Sequence, residues 1–479
     1  MDWKPQRGSH LSLHQQILGW MKERISQGQW PIHTKLPPQR KLAEALEVNR
    51  STIIHVMEEL VADGILETRP GDGTYVINNS WNMLAQSRNL DWQQYITSSM
   101  HEPNMLTVQL INEYEQRNDI IRLGTGELAP DLLPLGALKE SIQQLTLTAK
   151  DIGYSEPKGS LALRKGLSTH LARKGIHSSP EGILIVSGAL QALQLISLGM
   201  LEPGSHVFHE VPSYLNSVHP FRSAGMRMIP LEQNKPLTEV LQTWPRKRQS
   251  LLYTIPTLLN PTGSIMNTKD RLALLQACTA KQIPVIEDDV YGELVFTDAP
   301  PPLKALDSSG QVLYLGSVSK TLSPGLRIGW VVGPEPVIDR LADIKMQTDY
   351  GSSAFSQHIV RYWLESGMYD SHLSDLKQQL QQRSTLVEDA LQRQFGHLAT
   401  WRPSAGGFYI WLRLNKPLVQ KNLFSKLIKQ GVLINPGYIY DPKDMHHIRL
   451  SYAYASPEQL LRGLTILQQV VEKEAVTQD

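Results

Sequence analysis

The sequence predicts two structural units of different class: a small α+β winged helix-turn-helix, followed by a large α/β unit with a mainly parallel sheet. Within the first 80 residues, segments of helical periodicity precede two short β runs around a glycine-rich turn. From Ile120 onward, short apolar runs alternate with helical segments, the pattern of a parallel sheet covered on both faces. A length of 479 residues also exceeds what one ordinary core encloses.

The composition excludes several classes of protein. There are 47 Lys and Arg residues against 46 Asp and Glu, so we expect neither a polybasic nor an acidic tail. No apolar segment approaches the ~20 residues that span a bilayer, and the N-terminus lacks a charged-then-apolar signal. Cys278 is the only cysteine, which excludes an intramolecular disulfide and a cysteine-based metal site. We therefore expect a soluble cytoplasmic protein with no membrane or metal partner.

Three segments predict the first unit. Residues 11–26 carry apolar side chains at helical spacing and predict a first helix. Residues 35–60 predict a helix that starts at prolines, a tight turn, and a second helix opened by hydroxyl caps. Residues 64–76 add two β runs around a glycine-rich turn, which is how a wing is built. Together they predict a winged helix-turn-helix.

Positive charge gathers in this region. Residues 1–57 hold eight Lys or Arg and four Asp or Glu, whereas residues 58–80 hold one and five. We expect the basic side chains of Arg40 and Arg50 to meet phosphate, and Ser51, Thr52 and His55 to face base edges. The alternative is a three-helix protein-interaction module.

Residues 8–78 resemble the GntR-family winged helix. The matching pattern is Leu-Pro, Arg, Leu-Ala, then Val-x-Arg-x-Thr, and a Gly-x-Gly-Thr wing; Pro38 departs from it, standing where a serine is usual. The resemblance implies operator DNA as a partner, with Gly73 of the wing among the contacts. Residues 80–118, rich in Asn, Gln and Ser, predict a linker, although Trp81 and Trp92 indicate that part of it docks as a helix. The predicted domains are therefore 1–79, the linker 80–118, and 119–479.

One stretch of the large unit suggests covalent chemistry. An apolar run at residues 312–315 is followed by Ser317, Ser319 and Lys320, and Arg327 comes seven positions later. An amine among hydroxyls, with an arginine nearby, suits a cofactor held covalently and through a phosphate, as pyridoxal 5'-phosphate (PLP) would be. The alternative is a surface lysine in a serine-rich loop.

Other candidate residues follow predicted strands. Gly188 and Ala189 form a turn that opens a helix and so points N–H groups at an anion, unless it is an ordinary strand-to-helix turn. Asp288 suits a pyridinium nitrogen, the alternative being that it or Asp289 caps a helix. Asn260, in a proline-glycine turn, can donate to a phenolate oxygen or be merely a turn residue.

The order of these residues resembles the fold-type I PLP enzymes of the aspartate aminotransferase class over residues 120–470, which implies a smaller C-terminal subdomain. By that resemblance Lys320 binds PLP covalently and Asp288 pairs with the ring nitrogen. The remaining implied cofactor contacts are Asn260 and Tyr291 to the ring oxygen, Tyr214 stacked on the ring, and Gly188, Ala189, Ser317, Ser319 and Arg327 on the phosphate.

The same resemblance assigns three further roles. Tyr154 matches a tyrosine that reaches the partner subunit's phosphate, which implies a homodimer. Arg449 matches an arginine that grips a substrate carboxylate, the alternative being a structural ion pair. Gly126 matches a glycine close to bound substrate.

A winged helix joined to an aminotransferase-like domain resembles the MocR type of GntR-family regulators. This implies a PLP-dependent transcriptional regulator that senses an amino compound or PLP itself, with vestigial transaminase activity. The alternative is a working aminotransferase acting on an amino acid. A third interpretation, decarboxylation or racemisation, is disfavoured because the carboxylate-binding arginine is present.

Overall fold

The computed structural model describes residues 3–9, 11–26, 29–31, 33–69, 71–77, 104–145, 153–231, 237–245 and 248–477. The chain divides into two compact units, one within residues 1–99 and one within residues 100–479. The division falls inside the segment predicted as a linker. Trp81 and Trp92, and with them the prediction of a docked helix there, lie outside the described residues.

The first unit is a winged helix. It consists of α1 (Leu13–Ser26), α2 (Gln39–Leu46), α3 (Arg50–Ala62) and the antiparallel strands β1 (Leu66–Arg69) and β2 (Gly73–Val76). The apolar side chains that predicted the helices form its core: Ile17, Met21, Leu42, Ile53 and Leu60 are fully buried. The predicted helix-turn-helix and wing are confirmed.

One local expectation for this unit was wrong. α3 begins at Arg50, so Ser51 and Thr52 lie within its first turn instead of capping it. The cap residue is Asn49, whose side chain makes no capping hydrogen bond. α2, by contrast, begins directly after Pro38, as the prolines predicted.

The second unit contains many more elements. In chain order they are α4 (Leu106–Tyr114), β3 (Ile121–Arg122), α5 (Leu135–Gln143), α6 (Leu161–Ala172), β4 (Ile183–Val186), α7 (Ala189–Met200), β5 (His206–Glu210), β6 (Arg227–Leu231), α8 (Leu237–Thr243), β7 (Ser250–Thr254), α9 (Thr268–Lys281), β8 (Val285–Asp288), α10 (Leu303–Leu306), β9 (Val312–Ser317), β10 (Gly329–Val332), α11 (Glu335–Thr348), α12 (Ala354–Ser366), α13 (Met368–Phe395), β11 (Ala399–Thr400), β12 (Tyr409–Leu414), α14 (Lys421–Lys429), β13 (Val432–Leu433), β14 (Asn435–Pro436), β15 (His447–Ser451) and α15 (Pro457–Thr477).

A seven-stranded sheet is the centre of this unit. Its strand order is β4-β10-β9-β8-β7-β5-β6, in which β10 is antiparallel to both neighbours and the remaining pairs are parallel. Every residue of β4 and β9 is buried. Helices cover both faces, with α7 and α11 packed in one buried cluster and α6 and α12 in another. The predicted, mainly parallel α/β sheet is confirmed.

A smaller subdomain follows the sheet. Its antiparallel strands run in the order β11-β12-β15-β14, and β3 pairs in parallel with β13. The core of this subdomain includes side chains of α13, α14 and α15, and also Ile111 of α4. The end of the predicted linker is therefore helical and packs here. Among the described residues, no helix is both long and apolar enough to cross a membrane.

Candidate functional site

A cavity of about 380 Å³ opens where several strands of the large sheet end. All the residues predicted to contact cofactor or effector line it, apart from Tyr154. They are Gly126, Gly188, Ala189, Tyr214, Asn260, Asp288, Tyr291, Ser317, Ser319, Lys320, Arg327 and Arg449. Most of them converge because of topology, since strands running in the same direction bring their carboxyl ends to the same edge of the sheet. Arg449, on β15, and Gly126, after β3, reach the cavity from outside the large sheet.

Lys320 presents its amine to this cavity. It follows β9 by three residues, and its Nζ donates a hydrogen bond to the carbonyl oxygen of Gly126 at 2.6 Å. The same nitrogen lies 5.7 Å from the centre of the Tyr291 ring. Lys320 is half-buried, so the surface-lysine alternative is excluded.

An anion-binding corner lies at the start of α7. Gly188, at φ 94°, precedes the helix, and Arg327 Nη2 donates to the carbonyl oxygen of Ser187 at 2.6 Å. A Cβ at Gly188 would lie 2.8 Å from Arg327 Nη2, so only glycine leaves the guanidinium in place. Free N–H groups, the positive end of the helix and a guanidinium together favour a phosphate.

The serines beside Lys320 are held in order. The hydroxyl of Ser317 donates to the carbonyl oxygen of Ile328 at 3.0 Å and lies 3.0 Å from the hydroxyl of Ser319. The backbone N–H of Ser319 donates back to Ser317 at 3.1 Å. Both hydroxyls therefore face the cavity from a fixed turn.

Asp288 is the last residue of β8 and is buried. It accepts a hydrogen bond from the Tyr253 hydroxyl at 2.7 Å, and burial raises the pKa of its carboxyl to about 6. Asp289 does not line the cavity. Its carboxylate accepts hydrogen bonds from Lys174 Nζ at 2.6 Å and from the Tyr314 hydroxyl at 2.8 Å. No helix begins at either residue, so the helix-capping alternative is wrong.

Arg449 lies on β15, and its side chain lines the cavity. Its Nη1 donates to Asn260 Oδ1 at 2.9 Å and its Nη2 to the carbonyl oxygen of Gly124 at 2.7 Å. Its guanidinium carbon lies 3.9 Å from the centre of the Tyr409 ring, and its Nε has no hydrogen-bond partner among the described residues. No carboxylate within the described part of the chain forms an ion pair with it, so the alternative of a structural ion pair is wrong.

Sequence reasoning missed several residues of this cavity. The Tyr409 hydroxyl lies 2.9 Å from that of Tyr291, and a Cβ at Gly126 would lie 2.4 Å from it. Tyr440, Asn435 and Glu115 also line the cavity. The glycine pair before β12 and the alternation along that strand are the only signals for Tyr409, and they point to a strand without indicating which face meets the site.

Tyr154 stands apart from the cavity. Its side chain is 84% exposed, and its ring lies 5.3 Å from that of Tyr350. The proposed role toward a partner subunit therefore stays a prediction.

The predicted DNA-contact residues lie on α2, α3 and the wing. Arg40, Arg50, Ser51 and His55 are exposed, while Thr52 is half-buried. The Nδ1 of His55 lies 2.7 Å from the carbonyl oxygen of Ser51.

Gly73 sits at φ 141° in the wing. A Cβ there would lie 2.7 Å from the side chain of Lys35, which itself bonds Asp72 at 2.9 Å. Glycine at this position thus allows a basic side chain to pack along the wing.

Family comparisons match both units. Residues 118–467 match the aminotransferase class I and II family, and residues 13–76 match the gntR family of bacterial regulatory proteins. The HTH-type transcriptional regulator YisV of Bacillus subtilis is 49% identical, with 97% of this chain and 96% of that protein aligned. The HTH-type transcriptional regulator NorG of Staphylococcus aureus is 35% identical, with coverage of 92% and 100%.

Solved structures match the second unit. The kynurenine aminotransferase of Pyrococcus horikoshii superposes with a TM-score of 0.75 at 28% identity, covering 82% of this chain and 99% of that one. With the gntR match, these findings exclude the protein-interaction module. The chain therefore belongs to the GntR-family transcriptional regulators of the MocR type, in which a winged helix precedes an aminotransferase class I and II domain.

Proposed function

We propose that this protein is a DNA-binding transcriptional regulator whose second unit holds PLP and senses an amino compound. PLP is the cofactor of the class I and II aminotransferase family, and the P. horikoshii relative was solved with PMP. One observation supports the proposal most directly: three groups that PLP requires line the same cavity. They are the amine of Lys320, the buried carboxylate of Asp288 and the anion-binding corner at Gly188 and Arg327.

The residues present fit this cofactor. Bound PLP supplies an aldehyde that bonds amines and a ring that accepts electrons when its nitrogen is protonated. Lys320 provides the amine. Asp288 would keep a proton on the ring nitrogen, because a cation beside a buried carboxylate stabilises its charged form. Asn260 has its Oδ1 occupied by Arg449, which leaves its Nδ2 to donate to the ring oxygen.

The remaining contacts position the ring. The N–H groups of Gly188 and Ala189, with Ser317, Ser319 and Arg327, would hold the phosphate. Tyr214 would stack on the ring and Tyr291 would donate to its oxygen. Gly126, whose carbonyl now accepts from Lys320, lies where an incoming amino compound would displace that amine.

Arg449 supports an amino acid as the effector. Its unpartnered Nε and the two Nη groups, now held only by neutral oxygens, can turn to a carboxylate. If PLP itself were the signal, this buried arginine would have no carboxylate to bind. The completeness of the site also fits a second candidate, a working aminotransferase with an attached DNA-binding unit, but the similarity of the chain to HTH-type transcriptional regulators over nearly its whole length favours the regulator.

We further propose that the protein acts as a homodimer on paired half-sites. Tyr154 is exposed, so its side chain would be free to reach a partner's site, as the resemblance to aminotransferases implies. Two winged helices on one dimer would match DNA half-sites separated by about one helical turn or its multiples. PLP affinity and dimerisation should then rise together.

The test is operator affinity of the PLP-loaded protein with and without amino acids that change its visible spectrum. Regulation predicts a change of about 5- to 150-fold, and operator DNA must change effector affinity by the same factor. Arg449→Ala should remove the response, whereas Arg413→Ala, an exposed arginine on β12, should keep it. Turnover to a keto product without any effect on DNA would overturn the regulator in favour of the enzyme.

A further inference from the structure

The effector side of the cavity has a wall that contributes nothing to the cofactor contacts described above. Val108, Ile111, Asn112 and Glu115 line it from α4 and its end. Ile111 is buried in the small-subdomain core, and Thr107 lies 3.1 Å from the Tyr438 hydroxyl, so α4 is tied to that subdomain. An amino acid whose amine displaces that of Lys320 and whose carboxylate is bound by Arg449 would direct its side chain into the rest of this cavity.

Glu115 is the unusual member of this wall. Besides Asp288, which belongs to the sheet, it is the only acid among the described residues that line the cavity. It directly follows α4 as the C-cap residue, at the end of the helix where the dipole disfavours a negative charge. Burial raises the pKa of its carboxyl, and the charge of Glu127 adds to this. The hydroxyl of Thr125 and the charges of Arg449 and Arg122 oppose the rise.

Among the described residues, no basic side chain forms an ion pair with Glu115. Arg449 donates to Asn260 and Gly124, and Arg122 donates to the Tyr454 hydroxyl at 2.7 Å and stacks on its ring. Within the described residues, neither arginine forms an ion pair with Glu115. The buried hydroxyl of Thr125 lies beside the Glu115 carboxyl and is a neutral donor, although within the described residues it makes no hydrogen bond of good geometry. Among the described residues, the Glu115 carboxylate therefore has a neutral donor nearby but no cation paired with it.

Effector binding would leave the negative charge of Glu115 less compensated than before. Once Arg449 carries the effector's carboxylate, its positive charge no longer compensates Glu115, and the half-buried carboxylate is left against a helix C-terminus. A cation at the end of the effector's side chain would restore the balance. Lysine, ornithine and arginine share this chemistry.

We propose that Glu115 selects effectors whose side chain ends in a cation, so that the effector class is a diamino or guanidino α-amino acid. This inference rests on the proposed function, because it takes the same cavity as the effector site. It assigns Glu115 a role in specificity and none in holding PLP.

The test compares amino acids that differ only in the terminal amine. The full-length, PLP-loaded protein is titrated with L-lysine against L-norleucine, and with L-ornithine against L-norvaline, following the visible spectrum. In at least one pair the cationic member should bind roughly 10- to 100-fold tighter, as a hydrogen bond to a charged group predicts. Glu115→Gln should bring that ratio close to one without weakening the neutral member.

Two variants control the comparison. Glu113→Gln removes the same charge from an exposed residue of α4 outside the cavity and should keep the wild-type ratio. Glu115→Asp retains the charge and should keep a preference for the cation. Binding of the neutral amino acid verifies that each variant is folded.

The outcomes separate the two proposals. If neutral and cationic amino acids bind the wild type equally, or if the preference survives in Glu115→Gln, the Glu115 inference is wrong and the proposed function stands. If no amino acid alters the spectrum, sensing of an amino compound fails and the inference falls with it.

Discussion

Gly188→Ala tests the anion corner directly. Alanine at φ 94° adopts a backbone conformation that L side chains rarely take, which costs roughly 1 to 3 kcal/mol. The new methyl carbon would also lie 2.8 Å from Arg327 Nη2, well inside contact distance, so the guanidinium must move. The substitution should therefore lower both the stability of the apo protein and its affinity for PLP.

The expected size follows from what Arg327 loses. A hydrogen bond to a charged group contributes about 1.5 to 3 kcal/mol, so displacing the guanidinium should raise the Kd for PLP roughly 10- to 100-fold. Equilibrium titration of apo protein with PLP measures this change, and urea unfolding without PLP measures the backbone contribution separately.

Gly325→Ala is the matched control. Gly325 lies in the turn just before Arg327, has no left-handed φ, and a Cβ there would approach only the Ser323 hydroxyl at 3.5 Å. Its Kd should stay within about twofold of wild type. Unchanged PLP affinity in Gly188→Ala would refute the placement of the phosphate between Gly188 and Arg327.

Further predictions concern Lys320, the winged helix and a buried carboxylate. Lys320→Ala should abolish fixation of PLP by borohydride, and peptide mapping that finds the adduct on another lysine would contradict the site. Arg40→Ala and Arg50→Ala should each weaken operator binding, lower the salt slope by about one and leave the PLP spectrum unchanged; retention of operator binding by residues 100–479 alone would contradict the interface. Burial raises the pKa of the Glu293 carboxyl, but the hydrogen bond and charge of His170 and the charge of Lys174 outweigh it and leave a pKa of about 2, below the usual 4.5. A depressed pKa stabilises the fold above pH 4.5 and this contribution disappears as the pH falls toward 2, so Glu293→Gln should lower the free energy of unfolding by roughly 3 kcal/mol at pH 6 and by less in more acid solution. Chemical denaturation of both proteins across this range measures the difference, and a constant difference would show that charge is not the cause.

The sheet and the cofactor side of the cavity could be predicted because both depend on short segments. The apolar run at residues 183–186 became a fully buried β4, and the glycine turn after it became the start of α7. Asp288 is the last residue of β8, and Lys320 follows β9 by three residues. The local sequence pattern that predicts each strand therefore also predicts where these two residues lie.

Contacts made across long sequence distances could not be predicted. Arg449 and Asn260 are 189 positions apart, and Tyr291 and Tyr409 are 118 apart. Whether Tyr409 faces the cavity is decided by the register of β12 on β15, which pairs Trp411 with Arg449. A shift of one residue would turn the opposite side chains inward, and no local pattern specifies that choice.

The start of α3 illustrates a different limit. Ser51 and Thr52 are residues typical of helix caps, which favoured a later start. Glu47 takes a left-handed conformation at the end of α2, and the short turn that follows lets α3 begin at Arg50. Because of this turn, the helix starts one residue before Ser51 instead of after the hydroxyl residues.

The two sides of the cavity differ in what they reveal about function. Its cofactor side is built by strand ends of the large sheet, where the residue types alone indicate PLP chemistry. Its effector side is built by β12, β15 and α4, and α4 lies in a segment whose composition resembles a linker. Since the polar residues of that helix are typical of a linker, composition could not show that the helix forms a binding wall. The proposed effector specificity therefore depends on how the subdomain packs, which is why the cofactor could be predicted from the sequence while the proposed effector class required the structure.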